Sequence, residues 1–81
     1  MTGPVIIANL ARNPRERVRV ALDSRRGDDF LDIRITSLLS AGSGIFCPTK
    51  TGLSVSVALI PQLRQALADA EAKARIMGLI A

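Results

Sequence analysis

The sequence predicts an α+β fold, a four-stranded antiparallel sheet followed by one amphipathic helix, within a single domain. Three observations lead there. Between residues 17 and 57, apolar and polar residues alternate in successive short runs, the period of half-buried strands. Turn-forming residues separate those runs. From about Ala58 the apolar period lengthens to about 3.6, as in a helix with one apolar face.

Residues 1–15 carry no sustained period, and Asn13-Pro14 breaks the chain, so this segment is expected to be flexible or loosely ordered. A folded domain over 16–78 and a tail over 79–81 complete the division. The first strand is expected at 17–23, with Val18, Val20 and Leu22 on one face and Arg17, Arg19 and Asp23 on the other. Ser24-Arg25-Arg26-Gly27-Asp28 forms a turn in which Gly27 supplies a positive φ. The second strand, 30–39, puts Leu31, Ile33 and Ile35 on one face and Phe30, Asp32, Arg34 and Thr36 on the other. A flexible connection, Ala41-Gly42-Ser43-Gly44, leads to a third strand starting at Ile45-Phe46-Cys47, which Pro48 ends because it lacks a ladder donor. Thr49-Lys50-Thr51-Gly52 turns the chain again. In the fourth strand, 53–57, Leu53, Val55 and Val57 face inward and Ser54 and Ser56 outward. The helix, 58–77, aligns Leu59, Leu63, Leu67 and Ala70, with Ile60, Ala66, Ala74 and Met77 beside them. Pro61 fits its first turn and Gly78 its end.

A chain of 81 residues buries only about 60% of the surface its unfolded form exposes. Neither a disulfide nor a metal set is in view to staple it: Cys47 is the single cysteine, histidine is absent, and four of the seven acidic residues (Asp23, Asp28, Asp29 and Asp32) crowd one segment. Self-association as a homodimer is therefore expected, with Leu59, Leu63, Leu67 and Ala70 supplying an apolar helix interface. Enzyme activity is not expected, because no histidine is present to activate Cys47 or a serine and no glycine-rich phosphate loop occurs. Asp28, Asp29 and Asp32 read as a solvated turn rather than a magnesium site. Hence no metal, no cofactor and no small-molecule substrate are assigned. The apolar run near the start is too short to cross a bilayer and has no basic residue before it, so the expectation is no membrane association and a cytoplasmic protein, nucleoid-associated in a prokaryote.

The net charge is +4, and six arginines fall between residues 12 and 26. The nine arginines outnumber the two lysines, which suits bidentate phosphate contacts and stacking on bases. The candidate nucleic-acid-binding residues are Arg17, Arg19, Arg25, Arg26, Phe30, Arg34 and Lys50. Positions two apart on a strand lie about 6 to 7 Å apart, close to the phosphate spacing of an extended single strand. Phe30 is the stacking candidate and Phe46 is assigned to the core, while Asp32 is placed to hold one guanidinium in a surface ion pair.

The stretch ERVRVALDSRRGDDFLDIRI, a short loop and CPTKTGLSVSVALIPQLRQAL resemble the PC4/p15 transcriptional coactivator family over residues 16–67. The two specific parts are Leu31-Asp32-Ile33-Arg34 and Pro48-Thr49-Lys50-Thr51-Gly52-Leu53-Ser54. The resemblance implies a strongly curved four-stranded sheet, dimerisation through the helices, and paired concave sheets that bind single-stranded DNA. By position Arg34 matches the family's DNA-contacting arginine, and Lys50 the first residue of its basic pair. The chain departs from the family at Thr51, where a second lysine is usual, and at Arg25 and Ser37, where aromatic residues are common. The function this implies is sequence-nonspecific binding of single-stranded, melted or distorted DNA by a homodimer, in transcription regulation or in replication and repair, with the transcription machinery as a further partner. The alternative is a dimeric protein–protein adaptor of the same fold with weak or lost DNA binding, which the missing aromatic residues and Asp28 and Asp29 favour.

Overall fold

The computed structural model describes residues 3–81. Four strands, β1 (Val5–Asn13), β2 (Glu16–Arg25), β3 (Asp28–Leu38) and β4 (Phe46–Ser56), form one antiparallel sheet in the order β1-β2-β3-β4. A short 3₁₀ turn (Val57–Leu59) leads into helix α1 (Ile60–Ile76). The α+β class and the strand number agree with the sequence, but the strands are differently composed.

Val5–Asn13, where periodicity assigns no regular element, is the first strand. Met1 and Thr2, which begin the expected loose segment, lie outside the described residues. Two register shifts hide β1 from a period-two reading: Ile7 is extra between the pairs Ile6–Ala21 and Ala8–Val20, and Arg12 is extra between Ala11–Arg17 and Asn13–Glu16. Each extra residue moves the side chains that follow to the opposite face, so the alternation disappears.

The two short strands expected on either side of Pro48 are one strand, β4. Proline is tolerated because β4 is an edge of the sheet, where one side of the strand needs no ladder donor. Opposite the step from Arg34 to Thr36, β4 takes four residues to pass from Gly52 to Pro48. The hydroxyl of Thr49 pins this bulge, donating to the Ile35 carbonyl at 2.8 Å and accepting from the Thr51 amide at 3.2 Å.

The expected turn at Gly27 is a two-residue hairpin closed by Arg25 and Asp28. Arg26 and Gly27 have φ of 54° and 84°, the two positive values of a type I′ turn that matches strand twist. Pro61 lies in the first turn of α1. The helix ends with the Leu79 amide donating to the Ala74 carbonyl and the Gly78 amide to Arg75, a Schellman motif.

The strong curvature implied by the resemblance is not present. The molecule extends 39 × 37 × 18 Å, and the sheet is an open one with two free edges. The physical reason lies in the packing: α1 contacts chiefly the 3₁₀ turn, which touches the sheet at β3, so among the described residues no layer lies across the sheet to wrap it. Only Ala21 and Leu31 are buried apolar residues among those described, and no residue of α1 is buried.

Gly52 marks the tightest approach between strands. A Cβ there would lie 2.4 Å from the Ile33 carbonyl oxygen and 2.9 Å from Arg34 Cα, so β3 and β4 would have to separate. Gly52→Ala is expected to cost about 1–3 kcal/mol. A urea midpoint equal to that of the wild type, at the same protein concentration, would rule out this close approach.

Candidate nucleic-acid interface

The register of β2, β3 and β4 decides which side chains share a face. Arg17 is opposite Thr36, Arg19 opposite Arg34, Ala21 opposite Asp32 and Asp23 opposite Phe30. On β4, Ser54 is opposite Asp32, Gly52 opposite Arg34 and Phe46 opposite Leu38. One face therefore presents Arg17, Arg19, Asp23, Arg25, Phe30, Asp32, Arg34, Ser54 and Phe46.

Two arginines directly opposite each other repel. Asp32 resolves the conflict at Arg19 and Arg34. Its Oδ1 accepts from Arg34 Nη2 at 2.8 Å and from Ser54 Oγ at 3.1 Å, and its Oδ2 accepts from Arg19 Nη2 and Arg34 Nε, each at 3.4 Å. Arg34 Nη1 donates to the Lys50 carbonyl at 3.1 Å and to that of Thr49 at 3.4 Å, tying the bulge of β4 to the cluster. Ala21, fully buried, leaves room for these side chains to converge. Asp32 is only 7% exposed, so the surface pair expected from the sequence is a buried carboxylate shared by two arginines. The cluster retains a net charge of +1, two guanidinium groups against one carboxylate. Arg19 Nε is buried and makes no hydrogen bond.

This arrangement shifts both partners. The hydrogen bond from Arg34 holds the Asp32 carboxyl below the usual carboxylate range, with Ser54 and Arg19 adding to the effect against the opposing influence of burial. Asp32 in turn raises Arg34 above the ordinary guanidinium value.

Most of the sequence-predicted binding residues converge. Arg19, Arg25, Phe30, Arg34 and Lys50 line one depression of ≈ 560 Å³, together with Asp23 and Asp32. Arg25, Arg26 and Phe30 also line a larger groove of ≈ 900 Å³ running past Asp28 and Asp29 to Val57. Arg17 stands outside both, and its guanidinium carbon lies 3.8 Å from the centroid of the Phe46 ring. Arg25 lies over Phe30 at 5.8 Å. The helix residues form a separate group: Leu59, Leu67 and Ala70 are exposed and Leu63 is half-buried. Asp28 and Asp29 are exposed in the hairpin, apart from the Asp32 cluster. Among the described residues no three His, Cys, Asp or Glu side chains are grouped to hold a metal ion.

Phe46 corrects the sequence reading, because it belongs to the basic face and not to a core. The signal was available: the bulge adds two residues, an even number, so alternation carries through Pro48 from Ser54 to Phe46. Ser54 and Gly52 are the other site residues passed over, one as a carboxylate partner and the other as the point of closest strand approach.

Crystal structures of a PC4 homolog from Burkholderia pseudomallei, in a tetragonal and an orthorhombic form, superimpose on this chain with TM-scores of 0.75 and 0.76. The chain shares its fold with this PC4 homolog. Sequence identity is 28% and 27%, over 85% and 88% of this chain and 98% and 93% of the other. No protein-family model matches the chain, and no curated protein matches it. The Leu31-Asp32-Ile33-Arg34 strand that carries the sequence resemblance is the strand that builds the Arg19–Asp32–Arg34 cluster.

The direction of the Asp32 shift fixes a pH dependence. A folded-state value below the unfolded one stabilises the protein above the usual carboxylate range, and this stabilisation is lost as pH falls through the lowered folded value. Stability is expected to decline as pH drops below about 4, and Asp32→Asn is expected to flatten that decline while costing about 2 kcal/mol at neutral pH. Urea titrations of both proteins between pH 7 and pH 3 check this. Parallel acid limbs would show that Asp32 is not the group responsible.

Proposed function

We propose that this PC4-like chain acts as a homodimer that binds single-stranded or melted DNA without sequence specificity, in transcription regulation or in replication and repair. The observation that carries the reading is the convergence of Arg19, Arg25, Phe30, Arg34 and Lys50 on one face of the sheet, with Arg17 and Phe46 at its edge. Exposed cations along strands suit a flexible phosphate backbone, and planar groups among them suit unpaired bases. Dimerisation is supported by the unburied apolar stripe of α1 and by the scarcity of buried apolar residues in the protomer. A dimeric protein adaptor is the second reading, favoured by one observation: Asp32 occupies donors of Arg19 and Arg34 that a phosphate would otherwise take.

A titration of labelled oligonucleotides at several salt concentrations separates the two. An oligo-dT strand is expected to bind more tightly than a duplex of equal length, since a rigid duplex must bend to follow the surface. Lys50→Ala is expected to reduce the slope of log affinity against log salt by about 0.7 for each phosphate the lysine neutralises, or ~1.4 for a dimer presenting the residue twice. Arg34→Ala should act in the same direction, since it takes the charge of the cluster from +1 to zero. Equal binding of strand and duplex with unchanged slopes would favour the adaptor. The dimer is tested separately: Leu67→Asp is expected to sediment as monomer or to unfold, and a wild type that stays monomeric at micromolar concentration would remove the homodimer from the proposal.

A further inference from the structure

We propose that Arg17 with Phe46, and Arg25 with Phe30, are two base-stacking stations at opposite ends of the basic face, holding unpaired bases about four nucleotides apart; this rests on the DNA-binding reading. Phe46 is half-buried and Arg17 exposed, with the guanidinium carbon 3.8 Å from the ring centroid. At that distance the guanidinium is in cation–π contact with the ring. Because Arg17 is exposed, its planar cation, held against the ring, is accessible to an unpaired base. Register explains the geometry: Arg17 is on β2 and Phe46 on β4, so the side chain reaches across β3 over Thr36, which is only 3% exposed.

The second station is looser. Arg25 lies 5.8 Å from the Phe30 centroid, and Phe30 borders both the smaller depression and the larger groove. A ring shared by two openings presents stacking surface between them. Eight residues separate Arg17 from Arg25 on β2, about 27 Å of strand, which an extended single strand with phosphates about 6 to 7 Å apart covers in about four steps. The Arg19–Asp32–Arg34 cluster lies between the stations, with net positive charge where the connecting phosphates would run.

Neither station uses the positions where the resemblance leads one to look for aromatic groups, which here are Arg25 and Ser37. Arg25 meets a phenyl ring from the neighbouring strand, and Phe46 restores a ring near the Ser37 end of β3, opposite Leu38. The bound chemistry is therefore an unpaired base of any identity, recognised by its π-face and not by its edge.

The experiment compares an oligo-dT strand of about eight nucleotides, long enough to span both stations, with an abasic strand of the same length, which keeps the phosphates and removes the bases. Wild type is expected to bind dT more tightly. Arg17→Lys keeps the charge and removes the plane, so dT binding should weaken about fivefold or more while abasic binding and the salt slope stay unchanged. Phe46→Leu should act in the same way, and Arg17→Lys alone decides the question if that variant is unfolded. Equal losses on both strands, or none, would overturn the stations and leave the phosphate-binding reading intact. Wild type that binds neither strand would overturn both.

Discussion

The Asp32 carboxylate lets two arginines stand opposite each other in adjacent strands, and the layout of the face follows from that. Without an anion between them, Arg19 and Arg34 would repel across the β2–β3 ladder. With it, Arg34 is fixed in one orientation by two hydrogen bonds to Asp32, and its remaining donors reach the carbonyls of Thr49 and Lys50. Those carbonyls belong to the bulge of β4, so one ion cluster positions a strand edge, a lysine and the two arginines together. Gly52 is the steric counterpart: β4 lies against the Ile33–Arg34 backbone only because no side chain intervenes.

A chain centred on a polar cluster has little else to hold it. Val5, Ile6, Ile7 and Leu10 of β1 are exposed, as are Leu53 of β4, Leu67 and Ile76 of α1, and Met77 just beyond it. An apolar surface this large on 81 residues favours mutual burial between copies, and mutual burial would also set two basic faces in a fixed relation. The site itself is built on strands rather than on loops, so its cations keep their spacing without a ligand. That favours a backbone-tracking surface over one that orders on binding.

The α+β class, the number of strands and the face shared by several charged residues were legible in the sequence because alternation survives wherever pairing is regular. The assignments of Arg17, Arg19, Phe30, Asp32, Arg34, Ser54 and Ser56 to faces agree with the observed register. What was not legible traces to irregular pairing. Single extra residues at Ile7 and Arg12 erased the period of β1, and a proline inside a pinned bulge made one strand look like two. The strength of the Asp32 interaction was also hidden, since spacing shows that a carboxylate and an arginine share a face but not that a second arginine and a serine close around it. The curvature was implied by resemblance alone, and no packing that would enforce it is present among the described residues.

In the proposed DNA-binding function, charge and stacking would divide the work on this surface according to what each residue can still offer. Arg19 and Arg34 commit much of their hydrogen-bonding capacity to Asp32 and backbone carbonyls, so their contribution to a polyanion is mainly the residual positive field of the cluster. Arg17, Arg25, Arg26 and Lys50 are exposed and keep free donors for direct contacts. Two of these four, Arg17 and Arg25, are the ones that lie over phenyl rings. Two of the residues freest to meet a phosphate are thus also those best placed to meet a base, whereas the more buried arginines set the frame. In the proposed DNA-binding function such a division would give affinity that depends strongly on salt and weakly on sequence, because the field and the π-faces are both blind to base edges.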